Sequence, residues 1–269
     1  MQKRLVIVKL GGSALTDKNK IYTARKPAIH HAASQIARIA DKRQVVLVHG
    51  AGSFGHIPVK KFGLSEGFKS TKQLRGLAHT KHKLLEWETL IDEISLRHKV
   101  PLIPFLTSDL IVARRGRIVS STLKPLRESL RLGCVPTLGG DIVMDTVNGF
   151  SVVSGDQLAA FLAIQLGASR LVFGVDVEGI FDSNPKLNDK ARLLTKLSTN
   201  EALGFATNPK TTAHTTIDVT GGMAGKIKEA IIAARNGIPV QFVSLTKNSR
   251  LVKAALGLPV PGSTIIANR

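Results

Sequence analysis

Cysteine is almost missing from this sequence, which holds Cys134 as its single thiol among 269 residues. An intrachain disulfide is therefore excluded, and so is a metal cluster built on several cysteines. Cys134 lies in the short apolar run 132–135, so we expect a buried and unreactive thiol. The first residues lead directly into an apolar strand, without the longer apolar stretch of a signal peptide, and we therefore expect a cytoplasmic protein.

Long apolar runs, aromatic side chains and acidic residues are also scarce. No window holds the roughly 18 uninterrupted apolar residues of a membrane helix, so we expect no membrane insertion. Lysine and arginine number 38 against 19 acids, a net charge of +19 that could attract nucleic acid or small anions. Aromatic residues make up only 4%, which is few for stacking single-stranded bases. We interpret the charge as a solvated basic surface with no nucleic-acid partner, and keep nucleic-acid binding as the alternative from another class.

Apolar strands alternate with amphipathic helices along most of the chain. This order predicts an α/β protein with a mostly parallel central sheet covered on both faces. Two hairpins interrupt the alternation, one over 111–120 and one over 142–153 with the turn Asn148-Gly149. We expect these hairpins to add antiparallel edges to the sheet. A lobe boundary is expected near Val153, where the alternation resumes, and residues 191–220 show no clear pattern.

Residues 45–56, VVLVHGAGSFGH, combine the pattern of a buried parallel strand with a glycine loop and a histidine. Glycines at 50, 52 and 55 allow the backbone to approach a ligand closely. A helix that begins after such a loop favours an anion at its N-terminus. The stretch therefore predicts a phosphate site with His56 beside it, while a helix-capping or surface histidine is the alternative for His56.

The same glycines match the G-x-G-x-x-G pattern of dinucleotide-binding folds. That pattern also needs an acid about 20 residues further on, which holds a ribose hydroxyl. Between Gly55 and Glu86 the chain has only Glu66, which comes too early. A nicotinamide-dependent oxidoreductase is therefore an alternative that rests on this pattern alone, whereas phosphate binding needs only backbone N–H groups.

Two further glycine clusters carry a lysine. Lys9 stands at the end of an apolar strand just before Gly11 and Gly12, where its charge is costly unless it meets an anion. Lys226 follows the segment TGGMAG at the start of a predicted helix. This segment is not a P-loop, because threonine and isoleucine stand where a P-loop has its first glycine and its final serine or threonine.

Several cationic glycine loops in one chain fit phosphoryl transfer, where catalysis is mostly positioning and charge neutralisation. Lys18, in a polar turn after the first cluster, is a further candidate cation. Asp156 follows Ser154 and Gly155 at a predicted helix start, with Ser154 as the expected N-cap. Asp156 either holds two of the lysines in place or caps the helix.

In this order, the motifs KLGGS, TDK, HGAGSFGH, SGD and TGGMAGK resemble those of the amino-acid kinase superfamily. The resemblance spans nearly the whole chain. The glycine loop ending in His56 is its most specific part and is similar to that of the isopentenyl phosphate kinases, with the fosfomycin kinases as the alternative. The resemblance implies an open αβα sandwich, ATP with Mg²⁺ as phosphoryl donor, and a homodimer. The implied reaction is ATP-dependent phosphorylation of isopentenyl phosphate to isopentenyl diphosphate, in the alternative mevalonate route of isoprenoid biosynthesis.

The resemblance also implies roles for the residues that match these motifs. The implied catalytic residues are Lys9, Lys18, His56, Asp156 and Lys226. The implied ATP contacts are Lys9, Gly11, Gly12, Ser13, Gly52, Asp176, Gly222 and Lys226. The implied acceptor contacts are Ala51, Gly52, His56 and Gly155. No protein ligand to the metal is implied, since the ATP phosphates hold Mg²⁺, and we expect an acceptor lobe over 1–153 and an ATP lobe over 154–269 within one continuous domain.

The expected chemistry needs no general base. A phosphomonoester has its second pKa near about 6, so at neutral pH it is already largely in its nucleophilic form. We therefore expect His56 to hold the acceptor phosphate. The segment Thr71–Arg97, which contains Trp87 and Glu88, matches no motif. Its apolar spacing predicts a long helix, which we expect to wall the pocket for the acceptor's hydrocarbon tail.

Overall fold

The computed structural model describes residues 3–17, 20–185, 187–207 and 222–267. The strands are β1 (Leu5–Leu10), β2 (Gln44–His49), β3 (Leu102–Pro104), β4 (Ile111–Arg114), β5 (Arg117–Ser121), β6 (Val135–Gly139), β7 (Asp141–Asp145), β8 (Gly149–Val153), β9 (Arg170–Val175), β10 (Lys196–Ser198), β11 (Val240–Ser244) and β12 (Ser263–Ile266). The helices are α1 (Gly12–Leu15), α2 (Lys26–Ala40), α3 (Gly52–Lys61), α4 (Gln73–Arg97), α5 (Thr107–Leu110), α6 (Lys124–Arg131), α7 (Gly155–Gln165), α8 (Thr199–Thr207), α9 (Gly222–Arg235) and α10 (Arg250–Leu256), with a 3₁₀ turn at Leu64–Glu66.

The central sheet has eight strands in the order β10-β12-β11-β9-β1-β2-β6-β3. Neighbouring strands are parallel except β11 and β12, which are antiparallel. The prediction of a mostly parallel sheet is confirmed. Because β9, β1, β2 and β6 are adjacent and parallel, their carboxyl ends lie at one edge, which is where α/β proteins bind ligands.

Helices cover both faces of this sheet. On one face, α6, α7, α8 and α9 pack on a core in which Phe173 of β9 stacks on Phe242 of β11 with ring centroids 4.7 Å apart. On the other face, α2, α4 and α10 contribute Ile36, Ile91 and Leu251 to a second core. The predicted αβα sandwich is therefore confirmed. Within the described residues, no helix has both the length and the apolar character to cross a membrane.

The two predicted hairpins form, but they do not extend the central sheet. They pair with each other as a separate four-stranded sheet in the order β5-β4-β7-β8. The expectation of antiparallel edges on the main sheet was wrong, because β4 pairs with β7 and the terminal strands of the main sheet are β10 and β3. The apolar face of β7 and β8 instead builds a small cluster of its own with the end of α3, in which Ile142 and Phe150 meet Val59 and Leu64.

Two local predictions have different outcomes. The hydroxyl of Ser154 accepts a hydrogen bond from the N–H of Gln157 at 3.1 Å, so its predicted role as the N-cap of α7 is confirmed. Cys134 is only half-buried, and Leu132 beside it is 71% exposed. The expectation of a buried thiol was wrong because Gly133, with a φ of +87°, turns the chain at the surface before β6 begins.

Asp145 fastens the two hairpins to each other. Its buried carboxylate accepts hydrogen bonds of 2.7–3.1 Å from both turns and from β8. The donors are the backbone N–H groups of Arg115, Gly116, Val147 and Asn148 and the hydroxyl of Ser151. Burial alone would raise the pKa of Asp145, but these hydrogen bonds outweigh it and hold that pKa well below its ordinary range.

We expect Asp145→Asn to lower the free energy of unfolding by about 2 kcal/mol at neutral pH, because hydrogen bonds to a charged acceptor are lost. A carboxylate with a lowered folded pKa stabilises above its unfolded pKa of about 3.9, and this contribution is lost as the pH falls below that value. Urea unfolding between pH 3 and pH 7 should therefore show the difference from wild type shrinking towards acid. Asp189→Asn, at an exposed acid, is the control, and equal effects of the two substitutions would contradict this role.

Candidate active site

The carboxyl ends of β1 and β2 bring two of the predicted loops together. Leu10 pairs with His49 in the parallel register, so the loops that follow the two strands begin side by side. The hydroxyl of Thr16 joins them, since it donates to the carbonyl of Gly12 at 2.9 Å and accepts from the N–H of Ser53 at 3.1 Å. The two glycine loops therefore form one connected surface.

Glycine is required in these loops because the backbones touch. A Cβ on Gly12 would lie 2.6 Å from the nitrogen of Gly52, and a Cβ on Gly50 would lie 2.7 Å from the nitrogen of Gly12. Gly52 also has a φ of +51°, and a Cβ on Gly155 would lie 2.8 Å from the carbonyl oxygen of His49. These glycines were predicted to approach a ligand, whereas in the structure their backbones contact each other.

The first loop still offers backbone donors to an anion. The N–H of Gly11 continues the sheet by donating to the carbonyl of Gly174 at 2.8 Å. Gly12 and Ser13 line the main cavity, and within the described part of the chain their N–H groups donate to no protein acceptor. A phosphate oxygen is the kind of acceptor that such N–H groups bind.

Lys9, Asp156 and Lys226 form a buried ionic network across this edge of the sheet. The Asp156 carboxylate is 2.5 Å from the Lys9 ammonium and 3.3 Å from the Lys226 ammonium. Lys9 is 3% and Asp156 4% exposed. Burial alone would raise the pKa of Asp156, but the charges of Lys226 and Lys9 and their hydrogen bonds lower it. Of the two roles left open for Asp156, the structure supports the one that holds both lysines.

These residues line one cavity of about 610 Å³ that has a polar and an apolar end. The polar end contains Lys9, Gly12, Ser13, Ala51, His56, Gly155, Asp156 and Lys226. The apolar end is formed by Val59 of α3, Leu84 of α4, Ile142 of β7 and Val152 of β8. His56 is half-buried. It lies in the second turn of α3, because that helix begins at Gly52. The expected wall from the helix within 71–97 is present as Leu84.

Several predicted site residues are not among those that line this cavity. Lys18 is outside the described residues. Asp176 follows β9 at the same sheet edge and Gly222 begins α9, but neither lines the cavity. The carbonyl of Gly222 instead accepts a hydrogen bond from the Lys226 ammonium at 3.2 Å. Gly11 and Gly52 also stay off the cavity lining and act in the packing of the loops.

Trp87 and Glu88 belong to the segment expected to wall the pocket, but neither lines the cavity and both support the second loop. The Trp87 ring is fully buried, stacks on Phe54 at 5.0 Å, and donates from Nε1 to the carbonyl of Gly50 at 3.0 Å. Glu88 accepts from the His49 ring at 2.7 Å. The helical spacing of Trp87 with Ile91 and Ile94 could have placed the tryptophan in the core, but nothing in the pattern indicates its partner on the loop.

Comparison with known proteins gives a consistent result. The model of the Amino acid kinase family matches residues 4–244. An isopentenyl phosphate kinase of Methanothermobacter thermautotrophicus is 32% identical over 97% of this chain and 98% of its own. A solved structure described as X-ray structures of isopentenyl phosphate kinase has a TM-score of 0.83 at 30% identity, covering 97% of this chain and 99% of the other. A Thermoplasma acidophilum isopentenyl phosphate kinase product complex has a TM-score of 0.80 at 26% identity, with the same coverage.

The order of the strands, the paired loops and these similarities agree, and the chain belongs to the amino acid kinase family, with isopentenyl phosphate kinases among its relatives.

Proposed function

We propose that this protein transfers the terminal phosphoryl group of ATP to isopentenyl phosphate, giving isopentenyl diphosphate and ADP. The observation that carries the proposal is one cavity with both a cationic, amide-rich end and an apolar end. A short phosphate ester with a hydrocarbon tail has the same two-part character. The similarity to isopentenyl phosphate kinases over nearly the whole chain supports this acceptor.

The acceptor phosphate is assigned to the second loop. Ala51 and Gly155 line the polar end of the cavity, and His56 provides an imidazole beside them. Val59, Leu84 and Ile142 would surround the tail. Because the acceptor phosphate is largely ionised at neutral pH, its oxygen attacks the γ-phosphorus of ATP without a base, and the bond from that phosphorus to the β-phosphate oxygen breaks as ADP leaves.

The ATP phosphates are assigned to Lys9, Lys226 and the amides of Gly12 and Ser13. These groups fit a polyphosphate, because two ammonium groups and two backbone N–H groups line the same cavity and can contact phosphate oxygens. Mg²⁺, held by the nucleotide, would neutralise further phosphate charge. Lys18 is assigned to the transferring phosphoryl group by its motif. The motif matches also assign four residues to the nucleotide side: Gly11, Gly52, Asp176 and Gly222.

The two expected lobes correspond to the two halves of the central sheet. In the central sheet, the strands from residues 1–153 lie on one side of the boundary between β1 and β9, and those from 154–269 lie on the other. We assign the acceptor to the first part and ATP to the second, within one continuous domain. The homodimer and the cytoplasmic location stay predictions.

A panel of acceptors tests the proposed function. ADP release would be followed in a coupled assay with isopentenyl phosphate, fosfomycin, glutamate and uridine monophosphate. We expect turnover with isopentenyl phosphate far above the other three. Turnover of fosfomycin with none of isopentenyl phosphate would replace the proposal with its alternative.

We expect His56→Ala to reduce kcat/KM for isopentenyl phosphate by about 100-fold, because a charge-assisted donor to the acceptor phosphate is lost. Steady-state kinetics with both substrates should show a far smaller change in KM for ATP. His82→Ala, at an exposed histidine of α4, is the matched control. Wild-type kinetics in the His56 variant, with an unchanged melting temperature, would remove the imidazole from the proposed site.

We expect Lys226→Met to reduce kcat by about 100-fold or more, since a cation that stabilises charge on the transferring phosphoryl group is removed. Asp156 keeps Lys9 as a partner in this variant, so the fold should remain intact by circular dichroism. Lys228→Met, at an exposed lysine of the same helix, should leave kcat unchanged. Similar values of kcat for the two variants would count against the assignment of Lys226.

A further inference from the structure

A buried acid–base pair lies directly behind the acceptor side of the cavity. His49 is the last residue of β2 and is 2% exposed, and its Nε2 is 2.7 Å from a carboxylate oxygen of Glu88, which is 8% exposed. Neither residue lines the 610 Å³ cavity. Both line a smaller neighbouring cavity of about 320 Å³, which shares Leu84, Gly140 and Asp141 with the first. The pair is therefore placed to act on the site without touching a substrate there.

The surroundings of His49 fix its position. A Cβ on Gly139 would lie 2.6 Å from Cε1 of the His49 ring, so the ring fills the space above that glycine. Trp87 meets the ring edge-on at 6.0 Å. The carbonyl of His49 accepts from the N–H of Gly140 at 3.0 Å and lies against Gly155. The chain enters Gly50 and the acceptor loop directly from this residue.

The charges around His49 oppose the effect of its burial. Burial would lower the pKa of His49, but the charge and the hydrogen bond of Glu88 outweigh it and raise that pKa. Asp92, one helical turn further along α4, has its pKa raised to about 7 by burial and by the charge of Glu88. The other charged groups at the neighbouring cavity, Lys81 and Asp141, neutralise each other in an ion pair at 2.5 Å.

We propose that Glu88 is a positioning residue for acceptor binding, acting through the His49 ring on the loop of residues 50–56. This proposal deepens the proposed function and rests on it. Trp87 holds the carbonyl of Gly50 from the same turn of α4, so two successive residues of one helix support the start of the loop. Without the Glu88 carboxylate, the buried ring loses its counter-charge and its hydrogen bond. The loop is then free to shift, while the ATP side keeps its Lys9–Asp156 pair.

Glu88→Gln tests this role, with Glu86→Gln as the matched control. Glu86 lies two residues away on the same helix, is exposed, and pairs with Lys83. We expect Glu88→Gln to raise KM for isopentenyl phosphate about ten-fold, since one buried charge-assisted hydrogen bond is lost, with kcat and KM for ATP within about two-fold. Glu88→Asp, which keeps the charge on a shorter side chain, should fall between wild type and Glu88→Gln, and it serves if the glutamine variant does not fold.

A second measurement does not depend on turnover. Inorganic phosphate is titrated into the whole protein and binding is followed by the NMR signals of the backbone amides of residues 50–56. Weaker phosphate binding in Glu88→Gln than in Glu86→Gln supports the positioning role. Equal binding in the two variants, or a rise in KM that is the same for both substrates, overturns it. Failure of the wild type to turn over isopentenyl phosphate counts against the proposed function alone, because the phosphate titration tests the positioning role of Glu88 independently of turnover.

Discussion

One buried carboxylate, that of Asp156, sets the charge of the whole site. It lies at the start of α7 and neutralises one positive charge, but two lysines reach it, one from β1 and one from α9. Breaking a buried ion pair by removing one partner costs about 3–5 kcal/mol, so the three elements depend on each other. The carboxylate therefore holds both ammonium groups at this edge of the sheet, beside the cavity that they line.

The helix α4 serves the site in two ways at different depths. Its outer residues face the apolar end of the cavity through Leu84, and its buried turn supports the second loop through Trp87 and Glu88. Nearer the start of the same helix, Lys81 pairs with Asp141 at the start of β7. One rigid helix of 25 residues thus contacts both the apolar wall of the cavity and the loop at its polar end.

Local patterns predicted the parts of this structure that depend on nearby residues. The alternation of strands and helices, the hairpin over 142–153 and the cap at Ser154 follow from chemistry within a few positions, and all are confirmed. The turn itself is shifted, since residues 146–148 form it and Gly149 already pairs with Asp145. The separate second sheet was missed because it depends on the pairing of β4 with β7, a contact distant in sequence. The pair of His49 and Glu88 was missed for the same reason, since a strand end and a helix turn 39 residues apart carry no joint signal. The motifs indicated Lys9, Lys226 and His56, which line one cavity, but the motif match alone did not distinguish glycines that face the cavity from those that pack loop against loop.

The contact between the two glycine loops has a consequence for how this site can change. Because the backbones of Gly12, Gly50 and Gly52 meet without side chains between them, the spacing between the two glycine loops is fixed by main-chain contact. No substitution there can adjust that spacing gently. The apolar end, in contrast, is built from side chains on separate elements, Val59 and Ile142 among them. Substitutions at these positions can change the volume of the cavity by as little as one methyl group. Substitutions can therefore reshape the apolar wall of the cavity, while the relative position of the two glycine loops stays the same.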